Sequence, residues 1–327
     1  MRAVITLALA IFAGAFSTAV AEEAPIKLNV AYDGFSMTTA PMQYALAKGL
    51  FKKYGLDVDL VYVEGGSVLT QALVGGSVDI AQNGYTPSIA AAVAGADVVI
   101  VGSMANKLPF QLVVDPSIHN AEQLRGKNIA ISKFGSSTDT AAKFALKSEG
   151  LSADDVNILQ LGGEGTRAAA FESHQVQGLM VQYPRTQELV DSGSKLLVDV
   201  TDIVKDYPNT AYTTTRAFLS KNPDALKRFF MAMGEGLHGF RANPQEAMKI
   251  TASFLQLNEG PAVEQAFRFY ADRVYPRDLR PSLPGISAVL TELATTMPAA
   301  SSVKADSIVD TSTLDQLDRE GFFRGLD

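Results

Sequence analysis

Residues 49–85 read GLFKKYGLDVDLVYVEGGSVLTQALVGGSVDIAQNGY. Val58–Val63 is β-rich and runs into Gly65-Gly66-Ser67, which opens a helix over Ser67–Val74. Val78–Gln82 follows as a second strand. Strand, glycine turn, helix and strand in so short a span read as a parallel β-α-β unit. A glycine turn at a helix start bares backbone N–H groups at the positive end of the helix, which suits a small polar or anionic molecule. The stretch holds no nucleophile motif, metal cage or acid/base pair.

The alternation continues on both sides. Ile26–Tyr32 alternates as a strand. A helix begins at Pro41, carries Met42, Ala45, Leu46 and Leu50 on one face, and ends at Gly55. A helix over Pro87–Ala94 and a strand over Val98–Gly102 complete a first unit. Phe110–Val114 and the turn Asp115-Pro116 begin a second. It holds strands Lys127–Ser132, Val156–Leu161, Gly178–Gln182 and Leu196–Val200, with helices Ser137–Ser148 and Thr166–Phe171. After Ala211–Thr215 the chain turns helical: Asn222-Pro223 and Asn243-Pro244 open two helices, and two more cover Gly260–Val274 and Gly285–Met297. The expected fold class is α/β with mostly parallel sheets.

An ungapped shift of 98 residues lays Val63–Gln82 over Leu161–Met180, with Gly65 on Gly163, Ser67 on Gly165 and Tyr85 on Tyr183. Identity is sparse, but the order of strand, glycine turn, helix, strand and tyrosine repeats. It suggests two lobes built alike. Ligands of open α/β sheets sit beyond the carboxyl ends of the strands, so two such edges face to face make a cleft.

Composition narrows the class. Residues 1–21 have a signal-peptide pattern: Arg2, an apolar run over Val4–Phe16 and the small-residue site Ala19-Val20-Ala21. The expected mature chain starts at Glu22, is exported to the periplasm, and carries 27 basic against 35 acidic residues, a net charge of −8. That balance argues against nucleic acid or an anionic membrane surface as partner. The chain has no cysteine, so neither a disulfide framework nor a lipid-anchored amino terminus is available.

Candidate ligand groups cluster after strands. Ser136-Ser137-Thr138 follow Phe134-Gly135 and open a helix, where the hydroxyls either cap it or grip a ligand. Gly163-Glu164-Gly165-Thr166-Arg167-Ala168 fits G-x-G-x-x-A, but the next strand ends in Gln182-Tyr183 with no acid for a ribose. It reads as a ligand-facing turn, not a dinucleotide site. Tyr32, Phe35, Tyr85, Phe134 and Tyr183 either fill a lobe interface or wall a pocket. Arg185 lies on the surface or pairs with an oxyanion, and Asp33 caps a turn or meets an amine or ring nitrogen. His119, His174 and His238 lack ligand spacing. No metal, cofactor or catalytic residue is expected.

Together these residues resemble the periplasmic solute-binding proteins of nitrate, sulfonate and taurine ABC importers, which share a fold with thiamine-pyrimidine-precursor binding proteins. The resemblance rests on Ala47-Lys48-Gly49-Leu50-Phe51, Tyr54-Gly55-Leu56, Gly65-Gly66-Ser67, Ala72-Leu73, Gly76-Ser77-Val78-Asp79, Leu124-Arg125-Gly126-Lys127, Gly135-Ser136, Asn222-Pro223 and Val309-Asp310. It implies a type II periplasmic-binding-protein fold, crossed at Leu108–Val114 and Asn209–Thr215. Lobe one would be 22–110 and 213–327, and lobe two 111–212. It places ligand contacts at Asp33, Phe35, Gly66, Ser67, Tyr85, Thr86, Phe134, Ser136, Ser137, Thr138, Gly163, Gly165, Thr166, Tyr183 and Arg185. The implied partners are a small solute and the permease and ATPase subunits of a membrane transporter, with the receptor a monomer. The absent Trp removes a Trp-lined sulfonate pocket, and the absent Cys removes the cysteine-rich motif of the fungal pyrimidine synthases. The favoured solute is a small anion such as a sulfonate, taurine or nitrate. A heteroaromatic or aromatic acid is the alternative. A cytoplasmic enzyme on the same fold, or a sensor subunit, are readings of other classes.

Overall fold

The computed structural model describes residues 24–204 and 206–326. The signal-peptide pattern lies outside the described residues. Ten strands fall into two five-stranded sheets. The first unit runs β1 (Ile26–Tyr32), α1 (Ala40–Ala47), α2 (Leu50–Lys53), β2 (Leu56–Tyr62), α3 (Gly66–Val74), β3 (Ile80–Gly84), α4 (Tyr85–Val93) and β4 (Val99–Ala105). The second runs β5 (Gln111–Val114), β6 (Asn128–Ile131), α5 (Ser137–Ser148), β7 (Asn157–Gln160), α6 (Glu164–Glu172), β8 (Gly178–Val181), α7 (Arg185–Asp191) and β9 (Lys195–Asp199). Then follow α8 (Val200–Ile203), β10 (Thr210–Thr214), α9 (Arg216–Lys221), α10 (Pro223–Ala242), α11 (Pro244–Leu255), α12 (Pro261–Arg273), α13 (Leu283–Leu293) and α14 (Ser312–Arg319).

The strand orders are β2-β1-β3-β10-β4 and β7-β6-β8-β5-β9. In each sheet the first three are parallel, and the fourth runs antiparallel to both neighbours. That fourth strand is the first one the chain makes on entering the sheet, β5 in one and β10 on the return to the other. Thr210-Ala211-Tyr212-Thr213-Thr214 suits the position: it is β-branched, aromatic and buried throughout. The edge strand β2 instead carries Asp57 and Asp59, charges that discourage further pairing.

The internal correspondence extends to element boundaries. Moved 98 residues on, α3 coincides with α6 end to end, and β3 and β8 start together. One helix expected to run unbroken is two. Gly49 takes a left-handed conformation (φ 67°) between α1 and α2, which an L side chain resists.

The sheet containing β1 packs on the C-terminal helices. Phe229, Phe230, Met233, Leu237 and Phe240 of α10 form a buried stripe against Val30, Val101 and Tyr212. Each such side chain contributes about 1.5–3 kcal/mol by leaving water. Gly236 lets α10 close on α1, since a Cβ there would lie 2.7 Å from that of Ala45. A second cluster joins Tyr85, Ile89 and Ile100 to Leu112, Met180 and Val198 of the other sheet, with Tyr207, Ile286 and Val289 between. The two sheets therefore share a core where the chain crosses. Thr215 caps α9 through its Oγ1, which accepts from the Phe218 N–H at 3.0 Å. Thr215→Ala is expected to cost about 1 kcal/mol in chemical denaturation and to leave solute affinity unchanged.

Among the described residues no helix is long and apolar enough to cross a membrane.

Candidate functional site

The carboxyl ends of β1, β2 and β3 approach those of β6 and β7. A Cβ added at Gly84 would lie 3.0 Å from Ser137 Oγ. Added at Gly162 or Gly163, it would lie 3.4 or 3.3 Å from Glu64 Oε1. The turns after β2 and β3 in one sheet thus meet the turn after β7 and the start of α5 in the other.

Asp33 follows β1, and its Oδ2 accepts the Gly84 N–H at 3.1 Å. The same oxygen stands 2.8 Å from where a Gly66 Cβ would be, so only glycine fits there beside it. Burial pushes the Asp33 carboxyl up to about 6, and the Gly84 N–H pulls it the other way. Gly66 and Ser67 form the first turn of α3, which no side-chain acceptor caps. Phe35 is 44% exposed and packs on Tyr62 and Phe254, with ring centroids 4.7 and 5.2 Å away. Tyr32 closes this aromatic group from below.

On the second sheet, Ser136 caps α5, and Ser132, Ser136 and Thr138 link hydroxyls at 2.8–2.9 Å. Thr138 is buried and also accepts the Ser132 N–H at 2.9 Å, so its role is to hold the turn. Ser137 is left at the seam. Phe134 is 53% exposed. Gly163 precedes α6, again uncapped, with Gly165 and Thr166 exposed in its first turn.

Four expected contacts are buried or engaged elsewhere. Tyr85 is fully buried in the shared core, because the chain enters α4 at once and turns the ring inward. Burial raises the pKa of its hydroxyl, with Ser103 opposing. Thr86 is buried beside Tyr207. Tyr183, the counterpart by sequence offset, instead meets Phe269 of α12 at 5.0 Å, beside an Arg273–Asp202 ion pair. Arg185 pairs with Glu188 at 2.7 Å on its own helix, so its charge is already answered.

The structure adds residues the sequence reading passed over. Arg167 of α6 is only 5% exposed. Its Nη1 donates to the Gly162 carbonyl, and among the described residues its Nε has no partner. Burial lowers its pKa, opposed by Glu164 and by Tyr62 of the other sheet. Burial raises the Tyr62 pKa, with Glu64 and Asp33 adding to it and Arg167 opposing. Burial raises the Glu164 pKa, with Arg167 and Arg185 opposing. Arg167 lay within the G-x-G-x-x-A run; its signal was a lone charge on an otherwise apolar stretch, Ala168-Ala169-Ala170-Phe171.

Two cavities of about 530 and 580 Å³ open on the C-terminal helices, one beside His238, Arg241 and Tyr275 and one beside Leu283, Leu290 and Val303. No candidate ligand residue lines either. The candidate site is therefore the seam itself: two uncapped helix starts, an exposed aromatic group and one buried, under-bonded arginine.

Residues 36–247 match the NMT1/THI5-like family. The chain belongs to that family. A protein of Brucella abortus (strain 2308) is 28% identical over 249 residues, 74% of this chain and 75% of its own length. The taurine-binding periplasmic protein of Escherichia coli (strain K12) is 28% identical over 229 residues, 68% of this chain and 69% of its own. The alkanesulfonate-binding protein SsuA of Xanthomonas axonopodis pv. citri, solved bound to MOPS, aligns with a TM-score of 0.73 at 20% identity. That alignment covers 88% of this chain and 98% of SsuA. The fold is that of the type II periplasmic binding proteins, as the resemblance implied, and the taurine- and alkanesulfonate-binding relatives are solute-binding proteins.

Proposed function

We propose that this chain is the extracytoplasmic substrate-binding protein of an ABC importer, capturing a small anion such as a sulfonate, taurine or nitrate and delivering it to a membrane permease. The observation that carries the ligand class is Arg167: a nearly buried guanidinium at the seam between the sheets, with an N–H left without an acceptor. A buried donor without a partner is costly, and an oxyanion reaching the seam would answer it. The names of the taurine- and alkanesulfonate-binding relatives point the same way.

In this reading residues 22–110 and 213–327 form one lobe and 111–212 the other. Closure of the lobes exchanges water for loop N–H groups, hydroxyls and Arg167. The protein binds and does not catalyse. It is a monomer, exported to the periplasm by a cleaved signal peptide over residues 1–21. A second reading, a heteroaromatic or aromatic-acid solute such as a thiamine pyrimidine precursor, draws on Phe35 and Phe134, exposed rings beyond β1 and β6.

Thermal-shift screening of the mature chain against sulfonates, taurine, nitrate, aromatic acids and pyrimidines separates the two. A ligand at 100 times its Kd adds about 2.7 kcal/mol of stability. Shifts from non-ionic aromatics alone would reject the anion.

A further inference from the structure

We propose that Asp33 and Glu64 read a protonated nitrogen on the same solute whose oxyanion Arg167 holds, so that the preferred ligand is a zwitterion and not a simple anion. This rests on the binding-protein reading above and narrows its ligand.

A helix start with bare N–H groups attracts negative charge. The starts of α3 and α6 are both uncapped by their own side chains. Yet each already has a carboxylate beside it. Asp33 Oδ2 lies against Gly66 at the start of α3, and Glu64 Oε1 lies against Gly162 and Gly163 at the start of α6. The positions that would draw a free anion are therefore partly filled by the protein's own acids.

These acids are not neutralised. Among the described residues Asp33 accepts only backbone N–H, and Glu64 and Glu164 have neither an ion pair nor a hydrogen bond. Arg167 is the buried cation beside them. One of its donors goes to the Gly162 carbonyl, and its Nε points at no acceptor. Arg185 is spent on Glu188. Glu64 Oε1 stands against Gly162, whose carbonyl takes Arg167 Nη1, and Asp33 Oδ2 stands against Gly66, two residues on from Glu64, so the cation and the two acids flank one contact between turns.

A lone anion entering that contact gains Arg167 but meets the part-buried Asp33 and the exposed Glu64, neither held by a cation. A lone cation meets the reverse. A solute with an oxyanion and an ammonium a few bonds apart answers the buried Arg167 and presents its cation to Asp33 and Glu64. The exposed Phe35–Tyr62 face then covers the apolar chain between them.

Isothermal titration of the mature chain with matched pairs tests this: taurine against ethanesulfonate, and MOPS against 3-cyclohexylpropanesulfonate. The nitrogen-bearing member of at least one pair is expected to bind 10-fold or more tighter. Asp33→Asn and Glu64→Gln, each verified as folded by its melting curve, should shrink that ratio toward 1. Equal affinity within both pairs overturns the zwitterion and leaves the oxyanion standing. Binding of propylamine without any sulfonate keeps the carboxylate role and rejects the oxyanion. Binding of no probe rejects both. If a preference for the amine survives in both variants, Asp33 and Glu64 are not its source.

Discussion

Arg167→Met is expected to weaken binding of the best sulfonate in a titration panel at least 100-fold, about 2.7 kcal/mol, while the melting temperature stays close to that of the unsubstituted chain. The two halves of that result have separate causes. Arg167 is 5% exposed with one N–H unanswered, so the folded apo-protein already carries the cost of desolvating a guanidinium. Methionine has a similar reach and fills the same space without that cost. Among the described residues Arg167 has no ion-pair partner to strand, and water can take its place at the part-exposed Gly162 carbonyl. Binding behaves the other way. A charge-assisted hydrogen bond to an oxyanion is worth roughly 1.5–3 kcal/mol, and its loss leaves the anion facing Glu64 and Glu164 unaided. Arg167→Lys should recover little, since the compact ammonium lacks the planar fork that keeps one donor on the Gly162 carbonyl while others face the solute. Titration calorimetry and a melting curve on the same preparations decide the matter. Unchanged affinity would remove Arg167 from the site. A collapse of the melting temperature would make it a structural residue instead.

The way this site was and was not legible follows from local chemistry. Helix α5 can be read to its ends because Gly135 and the Ser136 cap mark its start in the sequence. The alternation of strands and helices is equally plain, because hydrophobic runs between glycine turns leave few other readings. The antiparallel fourth strand of each sheet is not: β5 and β10 have ordinary strand composition, and only the crossing of the chain decides their direction. The short helix α7 and the late helix α14 leave too little apolar pattern to announce themselves. Tyr85 shows the limit of position after a strand as a guide. Its backbone lies where a ligand contact belongs, but α4 begins at that residue and carries the ring into the core. Glu64 and Arg167 stand in the quoted motifs themselves. Their importance depends on a contact between sheets almost 100 residues apart, Glu64 against Gly163, which no pattern within either motif encodes.

Asp33→Asn is expected to raise stability at pH 7 by about 1–2 kcal/mol and to leave it unchanged near pH 3.5. Folding pushes the Asp33 carboxyl up to about 6, chiefly by burial, with backbone N–H groups opposing. A carboxyl whose pKa is higher folded than unfolded holds its proton more tightly in the native state. Its stabilising share is therefore complete below the unfolded value near 4 and declines as pH rises to about 6. Above that the native state carries an unpaired, partly buried charge. The full shift would correspond to about 3 kcal/mol, and water reaching the partly exposed side chain reduces this. Asparagine has no charge to bury, and its Oδ1 can still accept the Gly84 N–H. The groups facing Asp33 do not blur the window: Tyr62 has its own pKa raised by burial and stays neutral throughout. Denaturation of both proteins at pH 3.5 and pH 7 reads the difference directly. A variant less stable than the unsubstituted chain at pH 7 would mean that Asp33 is stabilised by a partner in the folded state. A more stable variant that has also lost its preference for taurine over ethanesulfonate would mark Asp33 as a charge kept at the expense of the fold, because the solute needs it there.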